Sequence, residues 1–449
     1  MKAKEQRGFY RTVARIALPV TMQSLLQSSF SVVDQLMIGK LGSGSIAGVG
    51  LGGKFASLYS VLLGAVMAAA GIMISQYIGQ KNEREISRSF FANLMLGTGL
   101  AVFFMALCIF FPENIMGVYT KDEETKRIAA GYLRILAGSY LPMAVAGIAA
   151  VLLRSKEAAA LPLYASLAGV ILNTGFNYLL IFGKAGFPRM GADGAAAATV
   201  IAQFFVCGLT VWLLLRHNKK QSVKMDVLWR FDKEKRKQFL GILYPIILCE
   251  FFWSLGENAY TAIYGNMGTD ACAAMTLTVP VQTLLIGALS GLSQAAGIMI
   301  GKALGGGDYG RAYQESKKLM KYGFFASILL SAGLLAARGY YVGIYDAGME
   351  AKRMAYEILL AFALIAPVKV QNMILGGGII RSGGETKYVM CIDLIGTWVF
   401  GVPLGLLGAF AWELPVAHVY FLLSMEECVR LGISLFVFWK KGWMKSLGC

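Results

Sequence analysis

The sequence of 449 residues is 57% hydrophobic and only 15% charged, with a mean hydropathy of +0.59. Ordinary globular domains carry about 25% charged residues, so this composition excludes a typical water-soluble domain. The formal net charge of +16 comes from Lys and Arg in the connections between apolar runs. This distribution indicates how the chain is oriented in a membrane, and we expect no nucleic-acid partner.

Apolar runs of membrane-spanning length recur along the whole chain. About 20 predominantly apolar residues cross the hydrocarbon core as a helix, whereas membrane barrels need short alternating strands, a pattern that is absent. The sequence therefore predicts an all-α polytopic membrane protein with twelve transmembrane helices, α1 to α12. Their predicted ranges are 12–39, 46–78, 89–111, 128–153, 160–182, 193–215, 239–265, 271–304, 318–337, 353–379, 387–410 and 415–438.

The connections that follow even-numbered helices are rich in Lys and Arg. The longest, residues 216–237, holds nine Lys or Arg against three acids. Because Lys and Arg favour the cytoplasmic side, we expect both termini and this linker on the cytoplasmic side of the plasma membrane. The opening MKAKEQRGFYR leads into a segment too long and too polar for a cleavable signal peptide.

Sequence signals for other chemistry are absent. The seven cysteines are scattered without CxxC spacing, the two histidines are isolated, and neither HExxH nor a Walker A motif occurs. We therefore expect no metal, no cofactor and no enzymatic activity, and a membrane-embedded enzyme is the least favoured alternative.

An internal repeat divides the chain. The hexapeptide AAGIMI occurs at Ala69–Ile74 and again at Ala295–Ile300, an offset of 226 (295 minus 69), and LLRS at Leu152–Ser155 meets IIRS at Ile379–Ser382 at an offset of 227. If a unit of six helices occurs twice, both copies have the same orientation in the membrane, because six is an even number. Two lobes are therefore expected, related by a pseudo-two-fold axis along the membrane normal. The predicted domains are an N-lobe 1–215, a basic linker 216–237 and a C-lobe 238–449.

Four segments, taken in order and spacing, resemble the multidrug and toxic compound extrusion (MATE) family: SVVDQLMIGKLG, ISQYIGQKNEREISRSF, IMIGKALGGGDYGRAY and GGGIIRSGGETK. The resemblance extends over essentially the whole chain. It implies two six-helix lobes around a cleft, and export of organic, often cationic, compounds in exchange for H⁺ or Na⁺.

Polar residues fall on one face of α1 and on the matching face of α7, at helical spacing. Because lipid penalises polar side chains, both faces are expected to line the cleft, together with aromatic residues that attract cations. The predicted substrate-lining residues are Gln27, Ser31, Gln35, Tyr140, Trp253, Ser254, Asn258 and Thr261.

Asp34 near the outer end of α1 is the strongest single candidate. An intramembrane carboxylate costs at least ~3 kcal/mol to bury and is functional by default, and the MATE resemblance implies a proton or cation site at this position. Where the family often has Asn-x-x-x-Asp on helix 5, this chain has Asn173 and Asn177. The missing second acid favours H⁺ over Na⁺, and a structural ion pair between Asp34 and Lys54 remains the alternative.

The C-lobe offers a second set of charged residues, Glu250, Glu257, Lys369 and Asp393, with Glu426 and Glu427 as further candidates. Glu250 and Lys369 each lie 12 residues from the cytoplasmic end of their helix, roughly 18 Å in an α-helix. The two residues therefore lie at similar depth, near the middle of the membrane, where an ion pair between them is possible; the sequence leaves open whether they pair.

Taken together, the sequence predicts a monomeric secondary antiporter that exports organic cations by alternating access, coupled to H⁺ or alternatively to Na⁺. A flippase for a lipid-linked saccharide is the second alternative. Such flippases often carry extra helices and a basic cleft, whereas this chain has twelve predicted helices and mainly acidic or neutral candidates.

Overall fold

The computed structural model describes residues 2–220, 233–345 and 348–447, without the side chains of 2–6, 30–32, 35, 36, 43 and 220. This part of the chain is helical and holds no strand. The predicted all-α class is confirmed. Residues 221–232 of the predicted linker lie outside the described residues.

Twelve helical segments correspond one to one with the predicted helices, and we keep their labels. They are α1 Lys2–Gly39, α2 Ser43–Gly79, α3 Glu83–Phe110, α4 Glu123–Ser155, α5 Ala160–Phe182, α6 Ala192–Lys220, α7 Lys233–Asn266, α8 Thr269–Gly305, α9 Tyr309–Gly343, α10 Met349–Ile380, α11 Thr386–Ala411 and α12 416–440. A short extra helix, Pro112–Tyr119, precedes α4.

Several helices are longer than predicted, and α1 begins at Lys2 instead of residue 12. Hydropathy locates only the apolar part of a helix, whereas the backbone hydrogen bonds continue into the polar interface. Within the described residues, ten helices are long and apolar enough to cross a membrane. The last segment, α12, is interrupted at Met425 between Val416–Ser424 and Glu426–Lys440.

Three π-helical stretches occur in the described residues, all in α10 and α11: Met373–Ile380, Ile395–Gly401 and Leu407–Ala411. The first contains the glycine triplet 376–378, which lacks the side chains that would resist local unwinding. π-helical turns inside longer helices are frequent at functional sites.

The chain forms two compact units, each with its own core. The N-unit comprises residues 22–74 and 82–234, and the C-unit comprises 1–21, 75–81 and 235–449. The N-unit core packs Tyr59, Leu133 and Tyr140, and a C-unit core packs Ile16 and Trp443 with α8 and α10. The predicted division into lobes at the linker stays a prediction.

Candidate functional site

The N-unit contains a cavity of about 430 Å³, which is within the size range of small-molecule sites. Helices α1, α2, α4, α5 and α6 contribute its walls. Much of the wall is apolar and includes two flexible methionines, Met67 and Met143. Its polar lining residues are Gln23, Gln27, Asp34, Arg154, Ser166, Asn173, Thr199, Gln203 and Thr210.

Asp34 is held by the two asparagines of α5. Asn177 Nδ2 donates to Asp34 Oδ1 at 2.7 Å. In the amide orientation that pairs donors with acceptors, Asn173 nitrogen lies 3.2 Å from Asp34 Oδ2, and Asn173 oxygen accepts from Thr199 Oγ1 at 3.3 Å. The carboxylate therefore receives N–H donors from neutral amides, and among the described residues no Lys or Arg forms an ion pair with it.

Arg154, at the end of α4, supplies a positive charge to the same cavity. Its Nη2 donates to Gln23 Oε1 at 3.0 Å, and Gln23 Nε2 donates to Ser166 Oγ at 2.7 Å. Arg154 Nε is buried and has no hydrogen-bond partner among the described residues. The wall of this cavity thus contains both a carboxylate, Asp34, and a guanidinium, Arg154.

The C-unit contains a cavity of about 290 Å³ with a different lining. Trp253 and the glycine-rich π-helical stretch of α10 form part of its wall. Its charged lining residues are Glu250, Lys369, Arg381, Asp393, Glu427 and Arg430. Three of the six are basic, so the expectation of mainly acidic or neutral candidates is wrong for this cavity.

Arg381 joins α7 to α11 inside the C-unit. Its guanidinium lies 3.5 Å from Glu250 Oε1 and 3.9 Å from Asp393 Oδ2. Cys249 Sγ donates to Asp393 Oδ2 at 2.8 Å, and Arg381 Nη2 donates to the same sulfur at 3.3 Å. One arginine therefore compensates two carboxylates, with a thiol between them.

Arg430 of α12 connects the remaining acids. Its guanidinium lies 3.3 Å from Glu426, 3.8 Å from Asp393 and 4.0 Å from Glu427. Lys369 Nζ also lies 3.7 Å from Glu427. Each acid lining this cavity thus has a basic partner, in contrast to Asp34.

Both halves of the chain match a known protein family. The family model MatE matches residues 19–179 and 245–407, which together make up more than half of the chain. The chain belongs to the MatE family. The starts of the two matched segments differ by 226 (245 minus 19), the offset of the internal repeat.

The MATE chain is similar along nearly its whole length to curated bacterial transporters. It is 22% identical over 432 residues to the uncharacterized transporter YisQ of Bacillus subtilis, covering 94% of this chain and 92% of that protein. It is 26% identical over 400 residues to the probable multidrug resistance protein NorM of Pasteurella multocida, covering 87% and 84%. MATE proteins are transporters, so the enzyme alternative is excluded.

Solved MATE structures share the fold. A multidrug resistance MATE transporter of the MOP superfamily, in its outward-facing conformation, superposes with a TM-score of 0.88 at 16% identity, covering 96% of this chain and 95% of that one. A MATE protein in complex with MaL6 superposes with a TM-score of 0.87 over the same shares. These likenesses confirm the polytopic all-α fold of the MATE chain.

Among the predicted N-lobe residues, the structure brings Asp34, Asn173 and Asn177 into contact and places Gln27 on the cavity wall. The side chains of Ser31 and Gln35 lie outside the described ones. Tyr140 is 1% exposed and packs in the apolar core, stacked on Tyr59 at 4.3 Å, so it does not line the cavity. Lys54 is exposed, and the partners of Asp34 are the amides.

Among the predicted C-lobe residues, Glu250, Trp253, Lys369 and Asp393 all line the C-unit cavity. The ion pair between Glu250 and Lys369, which the sequence left open, gives way to two others: Glu250 pairs with Arg381 and Lys369 pairs with Glu427. Depth along a helix is enough to place both residues in one cavity, but it carries no information about which side each residue faces.

Glu257, Asn258 and Thr261 are exposed and Ser254 is partly buried. Their described hydrogen bonds stay on their own helix: Asn258 donates to Ser254 O at 2.7 Å and Thr261 to Glu257 O at 2.9 Å. The polar face of α7 is therefore open on the surface of the C-unit.

Three arginines of the two cavities were not predicted as site residues: Arg154, Arg381 and Arg430. The sequence did carry a signal for the first two, because LLRS and IIRS place Arg154 and Arg381 at matching positions of the repeat. Each lines the cavity of its own unit. For Arg430, which lies outside both repeat motifs, no comparable signal exists.

Proposed function

We propose that this MATE chain is a secondary antiporter that exports organic cations in exchange for H⁺ by alternating access. The observation that carries the proposal is Asp34, a carboxylate on the wall of the N-unit cavity whose partners are neutral amides. A carboxylate without a permanent basic partner binds either a proton or a cationic substrate. Competition between the two for one site is the physical basis of exchange.

The small negative charge around Asp34 supports H⁺ over Na⁺. A Na⁺ site is built from carbonyl or carboxylate oxygens, and here one carboxylate with two neutral asparagines supplies a single negative charge. Asn177 Nδ2 donates to Asp34 Oδ1 at 2.7 Å, and this amide nitrogen would have to turn away from a bound cation. A protonated Asp34 keeps this contact.

Broad substrate selectivity follows from the rest of the wall. Among the described side chains, the wall of the N-unit cavity consists largely of small and flexible apolar residues, Met67 and Met143 among them, and holds no aromatic ring. Methionine adapts its shape to different ligands, so we attribute broad selectivity to these methionines. The relatives named as NorM multidrug resistance proteins accord with such a role.

The C-unit cavity does not favour the flippase alternative. A pyrophosphate group needs unneutralised basic side chains, but Lys369, Arg381 and Arg430 each face at least one carboxylate. We further propose a plasma-membrane monomer with both termini and the 216–237 linker in the cytoplasm, as the Lys and Arg of the even-numbered connections indicate.

Cells that express the protein and are loaded with ethidium test the proposal. Wild-type protein should export ethidium faster than anionic dyes, and Asp34→Asn should abolish export at an unchanged expression level. The matched control is Asp270→Asn, which removes a carboxylate from the exposed first turn of α8 and should export normally. Faster export of anionic dyes, or full activity of Asp34→Asn, would overturn the proposal.

A further inference from the structure

The residues that follow α12 pack against the end of α10 and against aromatic residues of the C-unit. We define the strap as residues 441–447. Within it, Trp443 is 0% exposed and stacks on Phe438 at 5.6 Å, and Phe438 stacks on Tyr313 of α9 at 5.0 Å. An added Cβ on Gly383 would overlap the carbonyl oxygen of Trp443. The strap therefore occupies a fitted position at the end of α10.

A buried glutamine of α2 holds the strap. Gln76 is 0% exposed, and its Nε2 donates to Ser382 O at 2.6 Å and to Lys445 O at 3.2 Å. Its Oε1 accepts from Leu447 N at 2.7 Å. Both polar atoms of this side chain are thus used to join α2 to the end of α10 and to the strap.

Further polar contacts extend the same junction. Gln80 Nε2 donates to Ser446 Oγ at 3.3 Å, and Gln238 Nε2, near the start of α7, donates to Leu447 O at 3.1 Å. Lys445 pairs with Glu385 in the turn between α10 and α11. The strap therefore bonds to α2, to α7 and to the α10–α11 turn at once.

Beneath the strap, the end of α2 meets the end of α8 with almost no space between the backbones. An added Cβ on Gly305 would overlap the carbonyl oxygen of Gln76, and one on Gly79 would overlap that of Lys302. Small residues permit such close approach of membrane helices. Residues 75–81 accordingly belong to the C-unit, whereas 43–74 of α2 belong to the N-unit.

We propose that Gln76 and the strap form a releasable latch, which keeps the end of α2 on α8 and must open in every transport cycle. This inference rests on the proposed function, because alternating access requires packed helix ends to separate during the cycle. As long as the strap spans α2, α7 and the α10–α11 turn, the end of α2 has no freedom to leave α8. Gln76 is thus a positioning residue for transport and does not contact substrate.

A reversible crosslink tests the latch. Gln80→Cys and Ser446→Cys are combined with Cys449→Ser, which removes a competing thiol that follows the strap in the sequence, and a short reducible bis-methanethiosulfonate reagent joins the new thiols. In proteoliposomes we expect the crosslink to lower ethidium export at least tenfold and dithiothreitol to restore it. The controls carry only Gln80→Cys or only Ser446→Cys in the same Cys449→Ser background, so they retain the same six native cysteines; treated alike, they should be unaffected. Undiminished export by the crosslinked protein would show that transport does not require the strap to open and would overturn the proposal.

A second measurement needs no transport, so it separates failure of the latch from failure of the proposed function. Ser75→Cys places a thiol at a position that is 0% exposed beside Gln76. Gln76→Met keeps the length of the side chain but removes its three hydrogen bonds. We expect it to raise the maleimide labelling rate of the thiol introduced at position 75 at least fivefold. The 80–446 crosslink should lower that labelling rate. The control is Gln80→Met, which removes only one strap contact and should raise the rate less than Gln76→Met does. An unchanged labelling rate in Gln76→Met contradicts the latch even if no dye is exported.

Discussion

The two cavities share a duplicated framework and differ in how their charges are compensated. Gln23 corresponds to Cys249 at an offset of 226 and Arg154 to Arg381 at an offset of 227, and each unit pairs its two members: Arg154 donates to Gln23 at 3.0 Å and Arg381 to Cys249 at 3.3 Å. The arginine that ends the fourth helix of each repeat thus bonds the first helix of that repeat. The same contact thus occurs in both copies, with an amide oxygen as acceptor in one and a thiol sulfur in the other.

The acids around this framework diverged. At the repeat offset of 226, Asp34 corresponds to Tyr260 (34 plus 226), whose hydroxyl donates to Glu426. Asp34 has neutral partners, whereas Glu426 also faces Arg430 at 3.3 Å. In the first copy the carboxylate of Asp34 therefore has no basic partner among the described residues. In the second copy the corresponding Tyr260 bonds to Glu426, whose charge is compensated by Arg430. This contrast supports our proposal that ion coupling belongs to the first copy.

The largest effect is expected when the ion pairs of the C-unit cavity, which we call the C-unit network, lose Arg430. Arg430→Met removes the base that faces Asp393, Glu426 and Glu427. Removing one partner of a buried ion pair costs about 3–5 kcal/mol, because the remaining charge is left uncompensated. Thermal unfolding of the purified protein measures the loss.

The matched control for Arg430 is Arg353→Met, since the Arg353 side chain is 72% exposed and pairs with Glu357 at 3.4 Å. An exposed pair contributes about 0–1 kcal/mol. If both substitutions lower the unfolding temperature equally, the C-unit network does not stabilise the protein as described.

A second prediction compares the two repeat-related arginines directly. Arg154→Met removes a hydrogen bond to the neutral Gln23 and should cost about 1–3 kcal/mol. Arg381→Met leaves Glu250 and Asp393 without this base and should cost more. Unfolding temperatures measured side by side give the order, and a larger loss for Arg154→Met would refute the contrast in compensation.

A third prediction sharpens the role of the N-unit amides. Asn177→Leu removes the 2.7 Å hydrogen bond to the Asp34 carboxylate. A hydrogen bond to a charged group contributes about 1.5–3 kcal/mol, which corresponds to a tenfold effect or more. We expect ethidium export to fall about tenfold while the protein remains folded. Asn266→Leu, at an exposed asparagine that bonds to Ala262 O of its own helix, is the control and should leave export unchanged.

The smallest effect concerns the start of α4 and of α10, which correspond in the repeat. Asp122 caps α4 by accepting from Thr125 N at 2.8 Å, whereas the corresponding Gly348 offers no side chain to α10. The hydrogen bonds from Thr125 hold the pKa of Asp122 below its usual value. Its contribution is therefore present above the pKa of the unfolded chain and is lost as pH falls through the lower, folded value.

Asp122→Ala should accordingly lower the unfolding temperature slightly at neutral pH and have no effect once pH falls below the folded pKa. Thermal unfolding at neutral and at strongly acidic pH measures both. A destabilisation that persists unchanged in acid would assign the effect to something other than the ionised cap.

Much of the fold was predictable, because apolar length and charge asymmetry are properties of each helix separately. The twelve segments followed from these two properties, and the repeat followed from residues that match at a fixed offset. The contact of Asp34 with Asn173 and Asn177 was predictable in part, since one intramembrane acid has few polar groups at its depth. The ion pairs of the C-unit were not predictable, because three bases and four acids allow many pairings. In addition, the π-helical stretches of α10 and α11 change which side of the helix each residue faces.

The central claim is that Asp34, and not the C-unit network, couples transport to H⁺. Proteoliposomes with an imposed pH gradient or an imposed Na⁺ gradient test it most directly, using wild type, Asp34→Asn and Glu250→Gln. We predict that the pH gradient alone drives ethidium transport by wild type and Glu250→Gln, and that Asp34→Asn does not respond. Transport driven by the Na⁺ gradient and insensitive to the pH gradient, or a pH response retained by Asp34→Asn and lost in Glu250→Gln, would contradict the account.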